Sequence, residues 1–170
     1  TTNDDEVAEK CKLLRNHGMK ERYQYFMMGF NLRITDLQSA IALVQMDRLE
    51  EFTQKRRANA AFLNKNIHSV ITPTEPKDYG HVWHQYTIRV DGGRDRDAAV
   101  KQLADAGVGT GIFYPVPAHQ QDYMRVLAGE YHLPVAEKLA KEVISLPVHP
   151  QLSQADLETI AAQVNSFMKP

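Results

Sequence analysis

Seven histidines, one cysteine and a few polar residues pinned by glycine or proline are the groups with which this 170-residue chain could do chemistry. His81 and His84 have an H-x-x-H spacing, but a strand through them puts the two on opposite faces or leaves one in the preceding loop. No carboxylate or cysteine follows at a ligand distance, so a metal site is not expected. His84 falls on the apolar face of that strand and reads as a hydrogen-bonded core histidine. His119 ends the run Tyr114-Pro115-Val116-Pro117-Ala118-His119, in which two prolines remove backbone donors and hold the segment extended. That stiffness suits a loop lining a site. His17 stands beside Arg15 at the end of a helical pattern, either as a partner for the helix dipole or as a binding group. Asn31 and Arg33 lie just ahead of a helix start that Thr35 and Gln38 fix as a capping box. Cys11 sits inside a helical stripe and is expected to be a small buried hydrophobe. The glycine-rich phosphate loops, the G-x-S-x-G elbow and a Cys–His pair are all absent, and Gly107-Val108-Gly109-Thr110-Gly111 leads into a strand rather than a helix.

The elements that must hold these groups can be read from periodicity. Asn3 caps a first helix, with Asp4, Asp5 and Glu6 in its first turn, Arg15 and His17 in its last, and Val7, Cys11 and Leu14 inward; Gly18 ends it. Met19 to Phe30 carries Tyr23, Tyr25, Phe26, Met27, Met28 and Phe30 without any period, a loop of aromatics that either covers a core or serves a site or interface. From Leu37 to Val44 almost every residue is apolar, as in a helix buried on all sides. The helical period runs on to about Asn66, with Leu49, Phe52, Ala60, Leu63 and Ile67 inward, Glu50, Glu51, Lys55, Arg56 and Arg57 on a wet face, and a bend near Asp47. Pro73, Pro76 and Gly80 break the chain. Beyond them come a strand from Val82 to Val90, a helix from Asp95 to Ala106 closed by Gly107, a strand from Val108 to Tyr114, and short helices before Gly129 and from Pro134. A strand from Val143 to Leu146 follows, and then a last helix capped by Ser153 and Asp156, with Leu157, Ile160, Ala161, Val164 and Phe167 inward. The alternation argues for an α/β layer, a small sheet packed with helices. The division expected is 1–72 and 73–170.

Composition limits the classes open to it. Hydrophobic content of 43% and charged content of 24% are those of a globular chain with a core. A formal charge of −1 and a pI near 6.6 give no basic face for nucleic acid. No apolar run approaches the ~20 residues a bilayer span needs, so no membrane partner is expected. A single cysteine rules out an internal disulfide and favours the cytoplasm. The chain opens on Thr1-Thr2-Asn3 without methionine, which suggests a fragment.

Several motifs in fixed order carry more than any one of them. They are Leu14-Arg15-Asn16-His17-Gly18, Gly29-Phe30-Asn31-Leu32-Arg33-Ile34-Thr35-Asp36-Leu37-Gln38, Arg56-Arg57, Trp83-His84-Gln85-Tyr86, Gly111 to His119, and Leu146-Pro147-Val148-His149-Pro150. Across essentially the whole chain this set resembles the DegT/DnrJ/EryC1/StrS family of pyridoxal-phosphate (PLP)-dependent aminotransferases, most of which act on keto nucleotide sugars. The resemblance implies the C-terminal portion of an aspartate-aminotransferase-like fold, with a long interdomain helix and a small C-terminal α/β domain. It implies a homodimer with composite sites, in which Asn31 hydrogen-bonds the phosphate of the partner subunit's PLP. Arg15 and His17 match positions near that shared site, and Tyr114 and His119 match the loop lining the nucleotide-sugar pocket. The Schiff-base lysine, covalent tether and general base of the family, matches a segment ahead of Thr1, so this chain alone is expected to be inactive. Phe113 replaces the histidine that many members carry before the tyrosine, which bears on sugar or nucleotide preference. Two alternatives stand beside the enzyme, with glutamate as its amino donor: a non-catalytic structural or protein-binding domain, and a lysine-less relative acting as dehydratase or regulator.

Overall fold

A computed structural model describes residues 1–167, the side chain of Phe167 excepted; the inward place expected for that side chain lies outside the described residues. The chain packs as two units, Thr1–Arg48 and Leu49 onward. The break therefore falls upstream of the boundary near 72 read from the sequence.

In the first unit, helix α1 spans Asp5–Arg15. Its cap is Asp4 rather than Asn3, because the Asp4 carboxylate accepts from the amides of Glu6 (2.9 Å) and Val7 (3.1 Å). His17 lies beyond the last turn, in the left-handed region with φ 57°, and Gly18 follows with φ 71°. None of the residues of α1 is buried, and Cys11 is exposed, so the expected inward stripe meets no core within this chain. The aperiodic aromatic stretch contains a small antiparallel hairpin, β1 (Met19–Glu21) and β2 (Gln24–Tyr25). Alternation is too short here to register as strand. Helix α2 (Asp36–Asp47) begins with the expected capping box: Gln38 N–H donates to Thr35 Oγ1 (3.3 Å) and Thr35 N–H to Gln38 Oε1 (3.1 Å). Burial on all sides is not what the chain alone provides, since Leu37 is 76% and Leu43 68% exposed.

The second unit holds the core. Helix α3 (Leu49–Asn66) is separate from α2, which closes at Arg48 with its amide on the Gln45 and Met46 carbonyls. Of its expected stripe, Ala60, Leu63 and the following Ile67 are buried, while Leu49 is exposed. Strand β3 (Tyr86–Arg89) pairs antiparallel with β4 (Val143–Leu146), Tyr86 opposite Leu146 and Arg89 opposite Val143. Single bridges extend the sheet on both sides, Ile71 to Arg89 and Gly111 to Ser145. The strand expected from 108 to 114 is reduced to that one bridge. The strand expected from Val82 begins only at Tyr86, because Trp83 takes φ 49° and stacks on His81, with ring centroids 4.3 Å apart. This turn reverses the alternation, so Trp83 is buried and His84, expected in the core, is exposed.

Helices α4 (Arg96–Asp105), α5 (Asp122–Ala128), α6 (Pro134–Glu142) and α7 (Gln154–Phe167) complete the unit, with a 3-10 turn at Ala118–Gln120. Ala99 and Leu103 of α4, and Leu157, Ile160, Ala161 and Val164 of α7, close over Ile88 and Ile144 of the sheet. Each leucine, isoleucine or valine among them, once fully buried, contributes roughly 1.5–3 kcal/mol. Arg96 on α4 donates to the Ala140 and Val143 carbonyls, satisfying the C-terminal end of α6. The result is a small sheet packed with helices, as the sequence predicts.

Candidate active site

The loop carrying Asn31 is fixed by backbone. His17 N–H donates to the Phe30 carbonyl (2.9 Å), Phe30 N–H to the Leu14 carbonyl (2.7 Å) and Leu32 N–H to the Arg15 carbonyl (3.0 Å), with Asn16 and Asn31 forming a single antiparallel bridge. The loop thus runs as a strand beside the end of α1. This needs two glycines in van der Waals contact. A Cβ on Gly29 would stand 2.1 Å from the Gly18 nitrogen, and one on Gly18 would stand 1.7 Å from the Met27 carbonyl oxygen. Gly18 also needs its positive φ, a region L side chains rarely adopt. The Arg33 guanidinium donates to Asn16 Oδ1 at 2.5 Å, tying the far end of the loop to the same turn. Asn31 itself is exposed, and its carboxamide has no hydrogen-bond partner among the described residues.

Beside this loop lies an open cleft of about 460 Å3, lined among others by Lys12, Arg15, Lys20 and Arg33 with Glu9 as its one carboxylate. Lys12 is paired to Glu9 at 2.6 Å. The cleft can hold an anion, and arginine is the side chain that binds phosphate bidentately. His17 is half-buried and does not line it.

In the second unit Tyr114, 73% exposed, lines a separate groove of about 390 Å3 with Pro115, Val116, Ala118, Gln121 and Tyr123. A pair of exposed tyrosines over a proline-stiffened wall presents flat apolar faces and two hydroxyls, which suits a polyhydroxylated or heterocyclic ligand. His119 does not line this groove. Its side chain is only 10% exposed, and Nε2 sits 3.1 Å from Glu137 Oε1. The same carboxylate accepts the Leu133 N–H at 2.8 Å and contacts His132 Nδ1 at 3.1 Å. The Leu133 amide first, and His119 next, hold the Glu137 carboxyl below its ordinary range.

Two features of the site were not marked by residue type. Arg56 and Arg57, read as a wet face, instead hold the loop before β3: Arg57 Nε donates to the His81 carbonyl at 3.0 Å and Arg56 to that of Trp83 at 3.3 Å. Glu137 belongs to no motif and carries no mark in its residue type. Its position four residues after Leu133, at the start of a Pro-initiated helix, was the available signal.

The profile of the DegT/DnrJ/EryC1/StrS aminotransferase family matches residues 1–165, and the chain belongs to that family. Members are PLP-dependent enzymes with the aspartate-aminotransferase-like fold. The chain is 37% identical over 99% of its length to a Geobacillus stearothermophilus protein named pleiotropic regulatory protein, covering 46% of that protein. It is 35% identical over 98% of its length to the dTDP-3-amino-3,6-dideoxy-alpha-D-galactopyranose transaminase of Aneurinibacillus thermoaerophilus, again covering 46%. Among solved structures, S. venezuelae DesV, crystallised with a ketimine intermediate, superposes with a TM-score of 0.91 at 29% identity, over 100% of this chain and 46% of DesV. The chain thus spans about half the length of the curated relatives it matches.

The residues present fit the phosphate end of PLP. An unpartnered, exposed carboxamide on a backbone-braced loop is a neutral donor already in place for a dianion. When bound, PLP supplies the electron-withdrawing ring through which an amino group changes carrier.

Proposed function

We propose that this chain is part of a homodimeric aminotransferase that moves an amino group from glutamate to a keto nucleotide sugar, giving 2-oxoglutarate and the amino sugar with no external oxidant. The observation that carries this reading is the free Asn31 carboxamide on its braced loop, in a chain whose family relatives include a named dTDP-sugar transaminase. In this reading Asn31 donates to the phosphate of the partner subunit's PLP. Arg15 and the cationic cleft receive the nucleotide diphosphate, with His17 beside them. Tyr114 faces the sugar nucleotide from its groove, and His119 supports that wall.

The lysine that tethers the cofactor comes from residues outside these 170, so the chain alone does not transaminate. The apolar side chains that α2 leaves in solvent, Leu37, Ile41, Leu43 and Val44, support burial in a larger assembly. The reaction belongs to the cytoplasm, where PLP and glutamate are available. No helix among the described residues is long and apolar enough to cross a membrane.

The test is PLP absorbance titration of the full-length protein and its Asn31→Ala variant. About tenfold weaker retention, the scale of one hydrogen bond to a charged group, is expected with an unchanged fold. Equal affinity would remove Asn31 from the cofactor's shell. A second reading, a regulator without transaminase activity, draws on the name of the Geobacillus relative. Full-length protein that binds no PLP would favour it.

A further inference from the structure

The segment between the Tyr114 groove and α6 leaves the body of the second unit and returns to it. His119 stands at its start and Leu133 at its end; between them lie thirteen residues, Gln120 to His132, with α5 among them. Much of the excursion is exposed, including Tyr123 at 62%, Val126 at 85% and Leu127 at 77%. A short helix with so little buried surface does not hold its own position. Among the described residues, the hydrogen bonds that close the loop meet on one side chain. Glu137 accepts at 3.1 Å from His119 in the 3-10 turn where the loop departs and at 2.8 Å from the Leu133 amide where it returns, with His132 Nδ1 at 3.1 Å. Since Leu133 and Glu137 are also joined by the first turn of α6, the carboxylate is a fixed point rather than a mobile surface charge.

The two tyrosines of the groove hang on this closure. Tyr114 lies five residues before His119, across a segment whose two prolines transmit position instead of absorbing it, and Tyr123 lies four residues after it. We propose that Glu137 is the positioning residue of the groove, clasping His119 and the 132–133 turn so that Tyr114 and Tyr123 are held as opposite parts of one binding surface. His119 thereby acts through the wall and not by touching ligand, which agrees with its low exposure and its absence from the groove lining. A carboxylate can only accept, so His119 Nε2 carries the proton of this contact.

The inference rests on the groove binding the sugar nucleotide, and its test separates the two claims. Glu137→Gln keeps the size and the acceptor for Leu133 while removing the charge; Glu137→Ala removes both. In the full-length protein, trypsin cleavage after Arg125 within the excursion should be faster in both variants, more so in Glu137→Ala. This readout requires no ligand, and unchanged cleavage would overturn the clasp whatever the enzyme does. For the groove, the probe is dTDP-3-amino-3,6-dideoxy-α-D-galactopyranose with 2-oxoglutarate. Glu137→Gln should raise its KM about tenfold with kcat little changed, and should add nothing in a His119→Ala background. A purely structural carboxylate would lower the melting temperature and leave KM where it was, which would overturn the positioning role. If the parent does not turn the probe over while the clasp behaves as expected in proteolysis, it is the proposed substrate that fails.

Discussion

The first 48 residues and the rest of the chain use the same amino acids to opposite ends. From Leu49 onward apolar residues build a core, in which Ala60, Leu63, Tyr86 and Ile144 have no exposed surface at all, while others such as Tyr114, Val126 and Leu127 stay exposed. Before Arg48 they go outward, with Leu37, Ile41, Leu43, Val44, Tyr25, Phe26 and Met28 all more than half exposed, and only Gly18 buried. Yet the first unit is not loosely built. Its turns are capped, its loop is bridged to the end of α1, and its two glycines touch. It keeps its form through backbone hydrogen bonds and steric closure, whereas the second unit keeps its form through area removed from water. A segment that presents binding groups and apolar surface together gains from being specified in that way, since its side chains stay free for something else.

The largest effect expected comes from Leu63→Ala. A fully buried leucine lost from the middle of the core should cost the second unit about 2–5 kcal/mol, read by urea denaturation. Ile41→Ala, the same kind of change on α2, should fall within about 0.5 kcal/mol in the 170-residue chain. Equal costs for the two would break the comparison.

Gly18→Ala should act in the reverse sense. The new Cβ meets the Met27 carbonyl in a residue at φ 71°, so amide exchange should accelerate at Phe30 and Leu32 while β3 and β4 stay protected. Loss of protection in both units would show that they are not specified independently.

The smallest effect concerns the cap of α7. Ser153 Oγ and then the Ser153 amide hold the Asp156 carboxyl below its ordinary range. A depressed folded-state pKa adds stability that is present above the unfolded value and fades as pH falls through the folded one. Asp156→Asn should therefore lower the stability of the second unit at neutral pH, and the difference from the parent should shrink in acid. A difference that grows in acid would contradict the assignment.

The same contrast explains what could be read in advance. Where burial and period coincide the sequence was explicit: Leu157, Ile160, Ala161 and Val164 of α7, the caps at Thr35 and Ser153, and the stop at Gly107 all stand where the spacing puts them. Where apolar residues lie on a face that the described residues leave in solvent, burial was misjudged, as for Cys11, Leu37 and Leu43. Alternation failed at Trp83, whose left-handed backbone leaves His84 in solvent instead of the core. The sites follow the same rule. The position of Asn31 on a braced loop ahead of α2 could be read because glycines and a cap surround it. The partner of His119 could not, since Glu137 lies eighteen residues away on another helix.

The contact of Gly18 with Gly29 bears on how this region can vary. The two residues close a ring around the hairpin and its aromatic tail, residues 19–28, and every restraint on Asn31 except its own neighbours sits at the base of that ring. The ring is also tied from within, since the Phe26 amide donates to the Gly18 carbonyl at 2.9 Å and the Met27 carbonyl packs on Gly18. The two glycines form a lock with no second key: a side chain on either strikes main chain, which no change at the other can clear.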